Sequence, residues 1–229
     1  MINPLYFLYK LTTSEKKVLE NNVTFYRNLS VKNKRKFEYR VSKFISKHHF
    51  IGRENLLVTP AIKVIISSVA IMLTFKMKHF LYNHFKNIII YPKDYLSSIS
   101  KNLHKGETNP KAKTIVFSWE GLIEGIKIED DNLNLGIHEF THALFFSFLK
   151  QSNLEAKRFI KNHKRILSFL VDKKEQKKLI NANYFREYAF ENQFEFLAVI
   201  TENYFETPKE FKQKLPELFL LVNKLYKIY

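Results

Sequence analysis

Cysteine is absent from this chain of 229 residues. Its absence excludes a disulfide framework, a thiolate nucleophile and any zinc or iron–sulfur site with cysteine ligands. A metal, if the protein binds one, must be held by His, Asp or Glu side chains. Glycine is also scarce, and the five glycines are too widely spread to form a phosphate-binding loop of the familiar nucleotide-binding kinds. Nucleotide-dependent chemistry of those kinds is not expected.

The chain also lacks an uninterrupted hydrophobic run of membrane-spanning length. Leu56–Phe75 is the most apolar stretch, but Lys63 leaves only about 12 uncharged residues after it, where a bilayer requires about 20. Thr59 and Pro60 instead predict a helix start, so we expect a buried core helix over about Pro60–Lys78. Met1–Leu11 lacks the basic region and cleavage pattern of a secretory signal, which predicts a cytoplasmic protein without a membrane segment.

Acidic residues are few relative to basic ones: 22 Asp and Glu stand against 38 Lys and Arg, a net charge of +16. Such an excess attracts nucleic acid or acidic partners. The basic runs at 32–47 and 157–178, however, do not interleave aromatics as single-strand binding platforms do, and no recognition motif accompanies them. We interpret these lysines and arginines as solvated helix faces, and no direct nucleic-acid contact is expected.

Local signals predict a mainly helical α+β fold with one small β-sheet. Two β-branched runs, Asn87–Pro92 and Thr114–Trp119, are expected to pair, with a polar, irregular loop at Ser97–Lys113 between them. Helices are predicted after the Thr12–Glu15 capping box, after Ser30, from Asp131 or Asn132 to Leu149, over Asn153–Leu179, over Ala189–Phe205, after a second capping box at Thr207–Glu210, and after Pro216.

The segment that carries chemistry is Leu135–Leu144, with the pattern H-E-x-x-H. His138 and His142 are four residues apart on a predicted helix, so both imidazoles can reach one zinc ion. Glu139 follows the first histidine and can take a proton from a zinc-bound water. The alternative is a surface helix that happens to carry two histidines. The apolar neighbours of the segment favour the metal, because histidines in a buried helix need partners.

A catalytic zinc site has three protein ligands and an open position for water. His163 is the next histidine, but it lies in a lysine-rich stretch and is expected to be exposed. Glu195 is the better candidate, since its surroundings are the most apolar and metal ligation would compensate a buried charge. Tyr188 and Glu202 lie seven residues to either side of Glu195, so all three share one face if the helix extends that far.

Simpler roles remain open for two of these residues. Tyr188 is either part of the site or a buried tyrosine with an ordinary hydrogen bond. Glu202 either orients a metal ligand or has a purely structural role.

Taken together, Asn134–His142, Arg186–Ala189 and Glu195–Phe205 resemble the Mlc titration factor A family of zinc peptidases. The catalytic domain of anthrax lethal factor is similar in the same two places. The resemblance extends upstream to Phe37–Gly52 and the Pro60 helix, so it covers most of the chain. One departure is visible: the family commonly has H-K-L-D after the second histidine, whereas this chain has Ala143-Leu144-Phe145.

This resemblance implies a single zincin-like domain of the gluzincin type, spanning 1–229, with a helical part to about residue 85 and a catalytic part over about 86–229. It implies zinc ligation by His138, His142 and Glu195, with Glu139 as general base and Tyr188 as hydrogen-bond donor to the developing oxyanion. Members of the family are metallopeptidases, some of them described as aminopeptidases, and the founding member binds a transcriptional repressor.

The sequence therefore supports two hypotheses of different class. The first is a zinc-dependent metallopeptidase acting on a peptide or protein, with aminopeptidase action as the form that the resemblance suggests. The second is a regulatory binding protein that sequesters a transcription factor, with zinc as a structural or vestigial element. The two are separable, because only the first requires the carboxylate of Glu139.

Overall fold

Local capping signals determine where several helices begin. The Thr12 hydroxyl accepts a hydrogen bond from the backbone N–H of Glu15, and the Glu15 carboxylate accepts one from the backbone N–H of Thr12, which closes the predicted capping box. Thr59 caps the next long apolar helix through the N–H of Ile62. The computed structural model describes residues 9–97 and 101–227, so the segment Met1–Leu11 lies largely outside the described residues.

Most of the described chain is α-helical. The helices are α1 (Thr13–Asn22), α2 (Thr24–Arg27), α3 (Val31–Lys47), α4 (Pro60–Thr74), α5 (Trp119–Lys127), α6 (Leu135–Leu149), α7 (Leu154–Val171), α8 (Lys173–Ala182), α9 (Gln193–Glu206), α10 (Pro208–Lys214) and α11 (Pro216–Tyr226). A 3₁₀ turn at Glu187–Phe190 precedes α9.

Six short strands complete the fold: β1 (His49–Gly52), β2 (Asn87–Tyr91), β3 (Tyr95–Leu96), β4 (Leu103–His104), β5 (Gly106–Asn109) and β6 (Thr114–Ser118). Four of them form a sheet in the order β1-β2-β6-β5. The first three are parallel, with Ile88 opposite Ile115, whereas β5 runs antiparallel to β6 at the edge. The predicted pairing of the two β-branched runs and the mainly helical α+β class are both confirmed.

Helix α4 is a core helix, as predicted from its interruption by Lys63. Its side chains are buried along almost its whole length, and it packs against α1, α3 and α6. It ends at Thr74, four residues before the predicted end. The buried Arg40 guanidinium on α3 donates to the carbonyls of Thr74, Phe75 and Met77, which satisfies the backbone where the helix stops. Within residues 9–97 and 101–227, no helix has both the length and the hydropathy to cross a bilayer.

The prediction for the segment Ser97–Lys113 was wrong in part. Instead of one irregular loop it contains β4 and β5, although residues 98–100 lie outside the described part of the chain. An edge strand such as β5 has half-exposed side chains, so its composition is polar, and it lacks the apolar β-branched run that marks β2 and β6. The turn predicted at Asn109-Pro110 is present where β5 returns to β6.

Helix boundaries downstream also differ from the prediction. Helix α6 begins after Asn134, whose side chain accepts from the N–H of Ile137, whereas Asp131 and Asn132 form the preceding turn. The stretch predicted as one helix over Asn153–Leu179 is two, because the Asp172 carboxylate caps α8.

The second predicted capping box, at Thr207–Glu210, does not form. The Thr207 hydroxyl hydrogen-bonds with the Tyr184 hydroxyl and donates to Asn132, so it is not available to cap a helix. Helix α10 nevertheless begins with Pro208 in its first turn, and α11 begins at Pro216 as expected.

His163 was expected to be exposed, and this was wrong. The side chain lies in the core with the residue 3% exposed, and its ring packs 4.7 Å from the ring of Phe145. The helical spacing already contained the signal: His163 is four residues after Phe159 and three before Ile166, which are both buried on the inner face of α7. Burial lowers the pKa of His163 to about 4, although a hydrogen bond with the backbone of Gln193 acts in the opposite direction.

Replacing His163 with Phe should therefore make the fold more resistant to acid. In the wild type the folded-state pKa lies below the value of about 6.5 in the unfolded chain, so stability is lost as pH falls through 6.5 toward 4. Between pH 7 and pH 5 this difference corresponds to about 2 kcal/mol of unfolding free energy. Denaturant titrations at both pH values, with chelator present, should show a smaller loss in His163→Phe than in the wild type.

The same change at the exposed His49, His49→Phe, is the control and should leave the pH dependence as in the wild type. Parallel behaviour of His163→Phe and the wild type between pH 7 and pH 5 would contradict a neutral, buried His163.

Candidate metal centre

Helix α6 carries the H-E-x-x-H segment at the centre of the molecule. It packs against α4, α5, α7, α9 and strands β5 and β6, and few of its side chains reach the surface. The four-residue spacing places His138 and His142 on one face, with their ring centroids 4.7 Å apart. Both imidazoles face α9, which is the other helix of the site.

Helix α9 contributes two glutamates that lie two turns apart, Glu195 and Glu202. The Asn192 side chain caps α9 by accepting from the N–H groups of Phe194 and Glu195, which fixes the first turn. Oε2 of Glu195 lies 2.9 Å from Nε2 of His138 and 3.5 Å from Nε2 of His142. The structure thus brings together the three residues that were predicted as metal ligands.

One atom from each of these three residues stands at a separation suited to a shared metal ion. The two Nε2 atoms are 3.1 Å apart, and Oε2 of Glu195 is enclosed without a hydrogen bond of good geometry. Ligands bound about 2.0–2.1 Å from a tetrahedral zinc ion stand about 3.3–3.4 Å from one another. The observed separations of 2.9, 3.1 and 3.5 Å bracket that spacing. His138, His142 and Glu195 could therefore hold a metal ion.

Glu202 orients His138 by contacting Nδ1, the ring nitrogen that does not face Glu195. The residue is 1% exposed, and both of its carboxylate oxygens are fully engaged. Oε1 accepts from Nδ1 of His138 at 2.8 Å and from Nη2 of Arg186 at 2.9 Å. Oε2 accepts from Nη1 of Arg186 at 3.1 Å and from the backbone N–H of Asn134 at 2.9 Å. Because Nδ1 of His138 donates to Glu202, the neutral imidazole that binds a metal would present its lone pair on Nε2, toward Glu195.

The electrostatics of the site favour a bound cation. Burial lowers the pKa of His138, but its close contacts with the carboxylates of Glu195 and Glu202, together with the charge of Glu139, outweigh burial and raise that pKa to about 10. Burial alone would raise the pKa of Glu195, yet contact with His138 and His142 holds it well below its usual range. A carboxylate cluster that stabilises positive charge on an imidazole will also stabilise a metal cation.

Strand β5 packs against α6 and holds the Glu139 side chain in place. The Thr108 hydroxyl lies 2.8 Å from Oε2 of Glu139 and 3.0 Å from its backbone carbonyl. Two residues earlier, Gly106 allows a close approach: a Cβ atom there would come within 2.8 Å of Oε1 of Glu139 and 2.7 Å of Leu135. Glu139 is 5% exposed, so the strand fixes its carboxylate in a largely enclosed position.

Tyr188 lies beside the site, but not for the reason predicted. The expected helix over Ala189–Phe205 does not extend back to it; Tyr188 lies in the 3₁₀ turn before α9, so helical spacing does not place it. Its ring centroid is nevertheless 5.9 Å from that of His138. Burial and contact with Glu195 raise its pKa well above the usual range, so the phenol keeps its proton at neutral pH and can donate a hydrogen bond.

Two of the residues that support the site were not singled out from the sequence. Thr108 and Gly106 lie in the segment that was predicted as a loop. Arg186 precedes Tyr188 and was part of the quoted resemblance, but its pairing with Glu202 follows only from the three-dimensional arrangement. For Glu202 the structure favours the orienting role over a purely structural one, because Oε1 contacts the histidine directly.

Comparison with known proteins agrees with this geometry. The chain is 22% identical over 224 residues to an uncharacterised protein, slr2042, of Synechocystis sp. (strain ATCC 27184 / PCC 6803 / Kazusa), and the match covers 91% of this chain and 82% of that protein. The sequence model of the glucose-regulated metallo-peptidase M90 family matches residues 8–227. The family resemblance inferred from the sequence is thereby confirmed, and the chain belongs to the glucose-regulated metallo-peptidase M90 family.

Proposed function

We propose that this protein is a zinc-dependent metallopeptidase with His138, His142 and Glu195 as its metal ligands. The main support is the convergence of one atom from each residue, all within 3.5 Å of one another, in a member of a metallopeptidase family. A peptidase family implies a peptide or protein substrate. The resemblance that suggested the family also suggests aminopeptidase action, and we include it in the proposal together with a cytoplasmic location.

When bound, zinc supplies a Lewis acid and lowers the pKa of a coordinated water toward about 7. The protein's own groups do the remaining work. Glu139 accepts a proton from the attacking water and later delivers it to the leaving amine. Tyr188 donates a hydrogen bond to the oxyanion that develops on the scissile carbonyl. Glu202 and Arg186 keep His138 in the required orientation and tautomer, and Thr108 keeps the Glu139 carboxylate in place.

We also propose that residues 1–229 act as one unit, with a helical part to about residue 85 and a catalytic part over about 86–229. The support is a shared core, since α4 from the first part packs directly against α6 from the second. On this proposal the N-terminal helices are needed to hold the metal-binding helix in place.

The Glu139→Gln variant should lose turnover while keeping zinc. The amide cannot act as a base, so we expect kcat to fall by about 10²- to 10⁴-fold. Zinc content, measured on the purified protein, should equal that of the wild type, because Glu139 is not a ligand in this proposal. Hydrolysis of a panel of amino-acid and peptide reporters, with and without chelator, is the assay.

Wild-type turnover by Glu139→Gln would contradict the role of Glu139 as general base. The regulatory alternative leads to a different expectation: a protein that acts only by sequestering a transcription factor would titrate that partner equally well as Glu139→Gln.

The Glu195→Ala variant should lose the metal itself. Replacing one of three ligands should weaken zinc binding by more than the 10- to 100-fold that is typical of losing a group behind a ligand. The matched control is Glu191→Ala, which removes an exposed glutamate from the turn before α9 and should retain stoichiometric zinc. Titration against a competing chelator provides the measurement, and full zinc retention by Glu195→Ala would mean that another residue is the third ligand.

Thr108 should act as a positioning residue for Glu139. In Thr108→Val the hydroxyl is replaced by a methyl group of similar size, so we expect kcat to fall by about 10- to 100-fold, the usual value of a hydrogen bond to a charged group. KM and zinc content should stay near wild type. Thr108→Ser restores the hydroxyl and should recover most of the rate, whereas equal rates for the Val and Ser variants would show that the hydrogen bond has no catalytic importance.

A further inference from the structure

A cavity separate from the candidate metal centre lies at the N-terminal end of α6. It has a volume of about 440 Å³ and is enclosed by the α1–α2 junction, α4, the end of α5, the start of α6 and the end of α9. Its walls are mainly apolar, with Phe25, Val69, Met72 and Phe205 among them. Within the described part of the chain, none of the residues assigned above to the metal ligands, the general base or the oxyanion donor lines it, so it is separate from the catalytic site.

The charged groups of this cavity are all acidic. Glu206 and Glu129 line it, and among the residues described by the structure no lysine, arginine or histidine does. This is unexpected in a chain of net charge +16. The C-terminal ends of α1, α5 and α9 reach its walls, and so do the N-terminal ends of the short helices α2 and α10, so helix ends of both signs line the cavity and the side chains set its charge. The N-terminal end of α6, which carries partial positive charge, also reaches the cavity. There the Asn134 side chain and the Glu202 carboxylate accept hydrogen bonds from its backbone N–H groups.

Glu206 is the polar anchor of the cavity. It is the last residue of α9, where the helix dipole disfavours a carboxylate. Its hydrogen bonds come from neutral groups, the Asn134 side chain at 2.9 Å and the backbone of Asn132, and in the part of the chain that the structure describes no ion pair reaches it. Burial, with the charges of Glu202 and Asp131, raises the pKa of Glu206 to about 8. Such a carboxyl group is a strong potential partner for a cation.

We propose that this cavity is a binding site for a small hydrophobic amine. The ammonium group lies against Glu206, with Glu129 at the exposed rim, and the apolar body of the ligand occupies the space between α4 and α9. An apolar pocket with a few convergent polar groups is the usual form of a small-molecule site. A bound ammonium would favour ionisation of Glu206 and pair with its carboxylate. An uncharged ligand would offer no such ion pair, and an anionic ligand would be repelled by Glu129 and would oppose the ionisation of Glu206.

Three probes with the same skeleton test the charge preference: 4-phenylbutylamine, 4-phenylbutan-1-ol and 4-phenylbutyrate. In isothermal titration calorimetry with the zinc-loaded full chain, the amine should bind about 10-fold or more tightly than the alcohol, since a hydrogen bond to a charged group is usually worth at least that factor. The carboxylate should show no binding. Equal affinities for the amine and the alcohol, or no binding of the amine at millimolar concentration, would overturn the proposal.

Variants test the location. Glu206→Gln should reduce amine affinity to the level of the alcohol while alcohol binding is retained. Glu120→Gln, an exposed glutamate on α5 that does not line the cavity, removes the same charge and should leave amine affinity unchanged. Met72→Trp should fill the cavity and abolish binding of both probes, with circular dichroism used to verify the fold. Wild-type amine binding by Glu206→Gln or by Met72→Trp would contradict the assignment.

Discussion

The buried carboxylate of Glu202 is the interaction on which the site depends. A charge enclosed at 1% exposure is costly unless every lone pair finds a partner, and Glu202 meets that condition with three residues from two separate segments. It joins the start of α6 through Asn134, the metal-binding face of α6 through His138, and the segment before α9 through Arg186. These contacts fix the register of α6 against α9, and that register carries Glu195 to the two histidines.

The opposite side of the active-site helix is fixed by a different element. Strand β5 has no charged partner for Glu139; it approaches closely because Gly106 has no side chain, and it directs the Thr108 hydroxyl at the carboxylate. The candidate metal ligands and the proposed base are thus held by separate supports, α9 for the candidate ligands and the sheet edge for the base. Damage to one support need not displace the other, which is the structural reason to expect that metal content and turnover respond to different substitutions.

Residues whose role depends on local helical geometry were predictable from the sequence. His138, Glu139 and His142 follow from spacing along one helix, and Glu195 from a charge in apolar surroundings. The edge strand was missed because its residues are polar and half-exposed and lack the apolar β-branched run that marks β2 and β6, although β5 and β6 form a hairpin. For Tyr188 the shared helical face was conditional on a longer helix, which does not form, and its place in the site was implied by the family resemblance; a 3₁₀ turn carries it there.

The net charge of +16 and the chemistry of the site are nearly independent of each other. The lysines that dominate the charge lie mostly on exposed helix faces, where solvent and salt screen them beyond about 8–10 Å. The potential at the metal centre is set by close, enclosed carboxylates, and those raise the pKa of His138 despite its burial. The same local control operates at Glu206, where burial first, and then the charges of Glu202 and Asp131, raise the pKa despite a basic exterior. A strongly basic protein can therefore hold interior sites for cations.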